Sequence, residues 1–196
     1  MTSWMEDLAS RLATRAPAPS VPRQEVARRR AAVLVPLFVR DGQLWILLTR
    51  RTDTVEHHRG QISFPGGAEE GGDESLFQTA LRETEEELGI APPDVRLLGR
   101  LSPIVTITDF YVEPYVAAIP QPYVFRPAAS EIAEVLEVPV LALLDPSILE
   151  TKSLPGRSEP ILFYHHGEHV IWGATARILS ELLATLQQPL DAAGRE

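Results

Sequence analysis

Four glutamates, Glu83, Glu85, Glu86 and Glu87, stand within five consecutive positions directly after Arg82. On a helix, Glu83, Glu86 and Glu87 fall at i, i+3 and i+4, so their carboxylates share one face. At about 5.5 Å and an effective dielectric of roughly 20, each such pair repels by about 3 kcal/mol, less where water screens it. The cluster also occupies a last helical turn, where the helix dipole disfavours anions. Something positive is expected there. A hard divalent cation suits the chemistry, because magnesium prefers carboxylate oxygens and takes water and substrate phosphates as its remaining ligands. Arg82 adds a fixed positive charge that can orient a glutamate. The competing explanation is a solvated acidic helix face, and the glutamates taken alone leave the two readings even.

The element that must carry these residues runs from Ser75 to Leu88, where Phe77, Ala80, Leu81, Thr84 and Leu88 recur at helical spacing. The glutamates then flank the apolar face, at the edge of the core and looking into a cleft. Asp73 or Ser75 caps the start, and Gly89 supplies the stop. Upstream, Ala31 to Val39 and Gln43 to Arg50 read as two strands joined by an Asp41-Gly42 hairpin turn. Residues 51 to 60 are polar and basic and read as a loop. Gly66 and Gly67 let backbone approach phosphate, with a structural turn as the alternative. Short strands are predicted at 96 to 101, 104 to 107, 112 to 119, 132 to 138, 161 to 164 and 169 to 172, and a second strong helix at 174 to 187.

The first residues, 3 to 15, form an amphipathic helix on the spacing of Trp4, Met5, Leu8 and Leu12, followed by a linker containing Pro17, Pro19 and Pro22. The domain division is therefore 1–30, an N-terminal helix and Pro/Arg-rich linker, and 31–190, the main domain. Arg23, Arg28, Arg29 and Arg30 are read as a solvated basic face. The stretch Asp145 to Pro160, with Pro146, Pro155, Gly156 and Pro160, carries no structure signal and is expected to be a long loop.

A hydrophobic content of 44% over 196 residues is enough for one packed core. The net charge of −9 argues against a nucleic-acid backbone as partner and leaves a small anionic ligand open. There is no cysteine, so disulfides and thiolate zinc sites are excluded. Charges interrupt every apolar run near the start, so neither a signal peptide nor a membrane span is expected, and a cytoplasmic location is.

Arg82, Glu83, Glu86, Glu87, Gly89 and Ile90 together resemble the box of the Nudix hydrolases: glycine, five residues, glutamate, seven residues, then Arg-Glu-aliphatic-any-Glu-Glu-any-Gly-aliphatic. Two positions depart from it. Thr84 replaces the aliphatic residue, and counting back from Glu74 puts Ala68 where the box glycine belongs, so the loop after Gly67 is one residue longer. Leu47-Leu48-Thr49-Arg50-Arg51, His57-His58-Arg59-Gly60 and Phe64-Pro65-Gly66-Gly67 are similar to the signature of the coenzyme A pyrophosphatase branch of that family. Thr52, where Ser or Ala is usual, and Glu56, where Arg is usual, depart from the branch pattern. Later segments, from Val112 to Val116 and from Ile171 to Ala176 among them, extend the resemblance over most of residues 31 to 187.

The resemblance implies an α/β class and an α/β/α sandwich, a mixed sheet between helices. It implies a Mg2+- or Mn2+-dependent hydrolase that cleaves the diphosphate of coenzyme A, or of an acyl-coenzyme A, to 4′-phosphopantetheine and adenosine 3′,5′-bisphosphate. Glu83 and Glu87 are the first choices as metal ligands, with Glu86 as ligand or water-orienting base, the Gly67 carbonyl completing the shell and Arg82 as orienter. Arg50, Arg51, His58, Arg59, Gly66 and Gly67 are assigned to substrate, the basic groups meeting its diphosphate and 3′-phosphate. Glu113, Glu131 and Glu134 are candidates for a distal base. His165, His166 and His169 are set aside as hairpin decoration. Alternatives are a Nudix enzyme for another nucleoside diphosphate derivative, such as ADP-ribose or a dinucleotide, and a Nudix-fold binding domain without catalysis. The partner expected is a small molecule, with no nucleic acid and no membrane, and a homodimer is left open.

Overall fold

Arg29–Arg40 and Gln43–Arg51 form β1 and β2, joined as expected through Asp41-Gly42. They pair only near that turn, from Leu37↔Ile46 to Arg40↔Gln43, and then diverge. The wedge between them is filled by two short strands that the sequence pattern did not announce. Ile62–Ser63 (β3) pairs with Thr49 and Arg50 of β2, and Gly66–Ala68 (β4) pairs with Ala31 to Val33 of β1. Pro65 closes the wedge by accepting a hydrogen bond from the Leu34 N–H at 2.9 Å. The Gly-Gly segment therefore sits in a fork of the sheet.

The computed structural model describes residues 3–14, 29–52, 60–156 and 159–187. Beyond the fork, the sheet is built from β5 (Arg96–Arg100), β6 (Ile104–Val105), β7 (Phe110–Ala118) and β8 (Ile132–Pro139). β8 lies antiparallel on β2, and β7 lies parallel to β1 over Arg29 to Leu37, which makes the sheet mixed. β5 and β6 pair with β7.

One helix, α2 (Leu76–Leu88), covers one face. It buries Leu76 and Ala80 on Ala32, Leu34, Tyr111 and Ala117 of the sheet, while Leu88 packs with Phe38, Leu47 and Ile90. The other face is covered by α1 (Ser3–Thr14) and α4 (Gly173–Gln187), through Leu8, Leu12, Leu179, Leu182 and Leu183 against Val35, Leu37, Ile46 and Leu48. This is the expected α/β/α sandwich. Each fully buried leucine contributes roughly 1.5–3 kcal/mol to holding these layers together. Although α1 precedes the proposed boundary at residue 30, it is docked in the same core, with the Leu12 side chain pressed against Gly99 of β5.

The expected long loop after Asp145 is a correction. Pro146–Ile148 is a 3-10 turn, and Leu149–Lys152 is a strand, β9, that adds to the hairpin of β10 (Ile161–His166) and β11 (His169–Trp172). β9 is an exposed edge strand of four residues, too short and too polar for a period-two signal, and its stability comes from backbone pairing to β10. A single-turn helix, α3 (Val140–Leu143), follows β8. No helix among the described residues is long and apolar enough to cross a membrane.

Candidate active site

The helix that carries the glutamates is held at both ends by local sequence. The Ser75 hydroxyl accepts from the Gln78 N–H at its start, and Gly89, in the left-handed region at φ 69°, ends it with an N–H donated to the Glu85 carbonyl. Of the two predicted caps, Ser75 is the one used. The buried stripe is Leu76, Thr79, Ala80, Thr84, Glu87 and Leu88. Glu87 thus falls within the buried stripe, only 3% exposed, because the last turn lies over the fork. Thr84, where the box has an aliphatic residue, is wholly buried and satisfies its hydroxyl by donating to the Ala80 carbonyl at 2.6 Å.

The two glycines of the fork meet this helix, and each is glycine for a different reason. Gly66 has φ 150°, and a Cβ there would strike the Ala32 carbonyl oxygen. At Gly67 a Cβ would overlap the Glu83 carboxylate, so the helix side chain occupies the space a larger residue would fill. The Gly66 N–H donates to Glu87 Oε2 at 3.2 Å. Burial pushes the Glu87 carboxyl up to about 8, against the opposing pull of Arg51 and the Gly66 N–H, with Glu83 and Glu131 adding to the rise. Burial also pushes Glu83 up, and Arg82 draws it back.

Arg82 is the fixed cation of the site. Its guanidinium donates to Asp73 Oδ1 and Oδ2, each at 3.2 Å, to the Ala68 carbonyl at 3.2 Å and to Glu86 Oε2 at 3.1 Å, and it pairs with Glu83 Oε1 at 3.1 Å. Asp73 also accepts from the Thr79 hydroxyl and the Glu70 N–H. The hydrogen bond from Arg82 is the main reason its carboxyl is held down to about 2. Asp73 entered the sequence reading only as a possible helix cap, since nothing in local spacing ties it to an arginine nine residues on. Ala68, the departure from the box glycine, takes part through its carbonyl alone.

Arg51 reaches the same place from the end of β2. Its Nη1 lies 3.4 Å from Glu87 Oε1, and its Nη2 lies 3.5 Å from Glu131 Oε2. Glu131 is held there by the chain before β8. The Arg126 and Ala128 N–H groups donate to the Leu88 and Glu87 carbonyls at the end of α2, and the Glu131 N–H donates to the Ala128 carbonyl. Thr52, one of the two departures from the branch pattern, grips this strap by donating its hydroxyl to the Ser130 carbonyl and its N–H to the Glu131 carbonyl. Of the three candidate distal bases, Glu131 alone is tied to the helix glutamates through Arg51. Glu113 is buried against Arg100 at 2.7 Å, and Glu134 pairs with Arg50 and His169.

Arg50 is not brought to the glutamates. It follows Leu48 on the opposite face of β2 and donates from Nε to Glu134 Oε2 at 3.0 Å. His57, His58 and Arg59, with Glu56, lie outside the described residues. His165, His166 and His169 sit on the β10–β11 hairpin, as expected, with His165 beside Glu150.

Among the described residues, no three Asp, Glu or His side chains close around one point. Glu86 is exposed and drawn to Arg82, while Glu83 and Glu87 turn to Arg82, Arg51 and the Gly66 N–H. The donor set nevertheless fits a hard divalent ion. Two carboxylates, Glu83 and Glu87, stand one helical turn apart, largely desolvated and against backbone, with Arg82 and Arg51 beside them. Magnesium requires no more than one or two carboxylates from the protein.

The mixed sheet lies between helices, with Glu83 and Glu87 laid over a Gly-Gly fork. The chain belongs to the Nudix family: the family model described as NUDIX domain matches residues 28–151. Relatives include the Nudix hydrolase NudL of Photorhabdus laumondii, itself uncharacterized, 35% identical over 186 residues that cover 93% of this chain and 98% of the relative. NudL of an Enterobacter strain, likewise uncharacterized, is 38% identical over 84% of this chain and 86% of its own. Among solved structures, a MutT/nudix family protein from Enterococcus faecalis shares the fold at a TM-score of 0.56 and 17% identity, covering 90% of this chain and 72% of its own. Nudix enzymes generally use divalent ions such as Mg2+ or Mn2+, and they hydrolyse the diphosphate bond of small-molecule substrates.

Proposed function

We propose that this protein hydrolyses the diphosphate of coenzyme A or an acyl-coenzyme A, releasing 4′-phosphopantetheine and adenosine 3′,5′-bisphosphate. The observation that carries this reading is the contact of Arg51 and Gly66 with Glu87. Arg51 and Gly66 belong to the two halves of the coenzyme A signature, and Glu87 belongs to the Nudix helix, so that contact joins both motifs in one site.

Glu83 and Glu87 would hold the divalent ion in this proposal, with the Gly67 carbonyl completing the shell and Glu86 as a further ligand or as the base that orients the water. When bound, that ion polarises a phosphoryl oxygen and lowers the pKa of water. Water attacks one phosphorus, the bridging P–O bond breaks, and the electron pair leaves with the second phosphate. Glu131 or the exposed Glu86 orients the water and takes its proton. Arg82 keeps Glu83 and Glu86 in place through its anchor on Asp73. The Gly66–Gly67 backbone and Arg51 face the phosphates, and His58 and Arg59 are assigned to the adenosine side with its 3′-phosphate. Arg50, engaged with Glu134 on the far face, has no part in this site. A cytoplasmic location belongs to the same proposal.

The test is product identification by mass spectrometry after incubation with coenzyme A and Mg2+, with ADP-ribose and a dinucleoside polyphosphate as parallel substrates. The two expected products from coenzyme A, at a higher catalytic efficiency than from the parallels, support the reading. Faster turnover of ADP-ribose or the dinucleotide overturns the choice of substrate and leaves the reaction class intact.

A further inference from the structure

Two arginines serve the glutamates, and they are held very differently. Arg82 is bonded on every side, to Asp73, Glu83, Glu86 and the Ala68 carbonyl, at 3.1–3.2 Å. Arg51 stands between Glu87 and Glu131 at the longer distances of 3.4 and 3.5 Å. Its Nε is buried and has no partner among the described residues. Arg50, its neighbour on the opposite face, makes the shorter contact, 3.0 Å to Glu134. Both flanks of Arg51 are meanwhile fixed by backbone. Its own N–H donates to the Gln61 carbonyl at 3.0 Å, and the next N–H donates to Glu131 at 2.8 Å. The backbone is pinned while the guanidinium is loosely shared between two acids, one of which is the proposed metal ligand Glu87.

We propose that Arg51 is the displaceable counter-ion of this site: it holds the Glu87 carboxyl before a divalent cation arrives, gives that group up to the cation as the carboxyl sheds its proton, and presents its guanidinium to the substrate's diphosphate. The inference rests on the metal-dependent reading above. Two cations competing for one carboxylate repel each other, so metal entry weakens the contact with Glu87 while leaving Glu131 as an anchor. A guanidinium released in this way carries N–H groups with no acceptor among the described residues, in the fork geometry that suits phosphate oxygens. Among the described residues, the charged groups paired with Arg51 are Glu87 on α2 and Glu131 on the strap before β8.

A displaceable counter-ion and a permanent prop for Glu87 predict opposite signs for metal affinity. Mn2+ binding is measured by titration calorimetry at low ionic strength, without substrate, on wild type, Arg51→Gln and Arg51→Lys, with thermal melts of the metal-free proteins alongside. A competing counter-ion predicts that Arg51→Gln binds Mn2+ roughly tenfold more tightly, the scale of one like-charge repulsion at this range. It also predicts that Arg51→Gln melts lower without metal and regains that loss when Mn2+ is added. Arg51→Lys, which keeps the charge, stays within about threefold of wild type in Mn2+ affinity on the same ground. Inorganic pyrophosphate added to the Mn2+-loaded proteins binds wild type more tightly than Arg51→Gln. Unchanged or weaker Mn2+ binding by Arg51→Gln, with wild type binding normally, overturns the counter-ion role and leaves the metal reading standing. A wild type that binds no Mn2+ overturns both.

Discussion

The Gly66 amide and the Glu87 carboxylate meet at 3.2 Å, although one lies in the fork of the sheet and the other in the last turn of α2. This contact places a nearly inaccessible carboxylate where, among the described residues, a backbone N–H and Arg51 relieve its burial. The proposed metal-binding role requires Glu87 charged, and the metal-free fold resists charging it.

Glu87→Gln separates these two demands. The substitution keeps the shape and the acceptor for Gly66 but removes the metal-binding charge, so turnover with Mg2+ is expected to fall at least ~100-fold. The metal-free variant is expected to be more stable than wild type at pH 8. In the unfolded chain Glu87 loses its proton near 4.5, whereas in the fold it keeps it up to about 8. Wild-type stability therefore falls as pH rises across that window, by up to about 1.4 kcal/mol per pH unit, and the advantage of the variant vanishes toward pH 4.5. Melting curves in chelator from pH 4.5 to 8.5 check this, and a constant difference between the proteins would contradict it.

Divalent ions are expected to raise the melting temperature of wild type, because they bind the folded arrangement of Glu83 and Glu87 and nothing in the unfolded chain. At a hundredfold excess over the dissociation constant the gain is about 2.7 kcal/mol. Chelation should reverse it, and Glu87→Gln should lose most of it. A melting temperature indifferent to millimolar Mg2+ and Mn2+ would remove the metal from this account.

The neighbouring glycines should respond to alanine in different ways. At Gly66 the added methyl meets the Ala32 carbonyl and the backbone stands at φ 150°, so Gly66→Ala is expected to destabilise the fold by about 2–3 kcal/mol. At Gly67 the obstacle is the Glu83 side chain, which can move. Gly67→Ala is therefore expected to keep near-native stability and lose activity at least ~10-fold by displacing a ligand. Denaturant melts and turnover, measured together, distinguish the two.

Asp73 positions the site through Arg82. Asp73→Asn leaves a neutral acceptor for the guanidinium and is expected to cost about 1–3 kcal/mol, the worth of a charged hydrogen bond. Because its folded-state carboxyl is held down to about 2 from 3.8, the stabilisation is complete above pH 4 and is lost as pH falls through that interval. The variant should converge on wild type in acid, as followed by melts between pH 2 and 5.

Arg51→Ala is expected to lower catalytic efficiency for coenzyme A and dephospho-coenzyme A by the same factor, roughly 10- to 150-fold. From the sequence alone, this arginine belonged to the basic loop that meets the 3′-phosphate, and selective loss with coenzyme A would follow. Its place between Glu87 and Glu131 puts it at the diphosphate, which both substrates carry. A loss confined to coenzyme A would return Arg51 to the 3′-phosphate.

What the sequence determined by itself is whatever its neighbours along the chain decide. Helical spacing, the Ser75 cap and the Gly89 stop define α2 and bring Glu83, Glu86 and Glu87 to one side. Asp41-Gly42 defines the hairpin that feeds the sheet. Those are short-range effects, written in the residues a few positions apart. The tertiary structure decided which charges meet. Arg50 and Arg51 are adjacent and chemically identical, yet alternation along β2 sends one to Glu134 and the other to Glu87. Glu113, Glu131 and Glu134 were equal candidates until Arg100, Arg51 and Arg50 each claimed one. The divergence of β1 and β2, which opens the fork for Gly66 and Gly67, and the β9 edge strand also had no local signal. Each depends on backbone hydrogen bonds between segments distant in sequence, and no periodicity within a strand encodes which partner lies beside it.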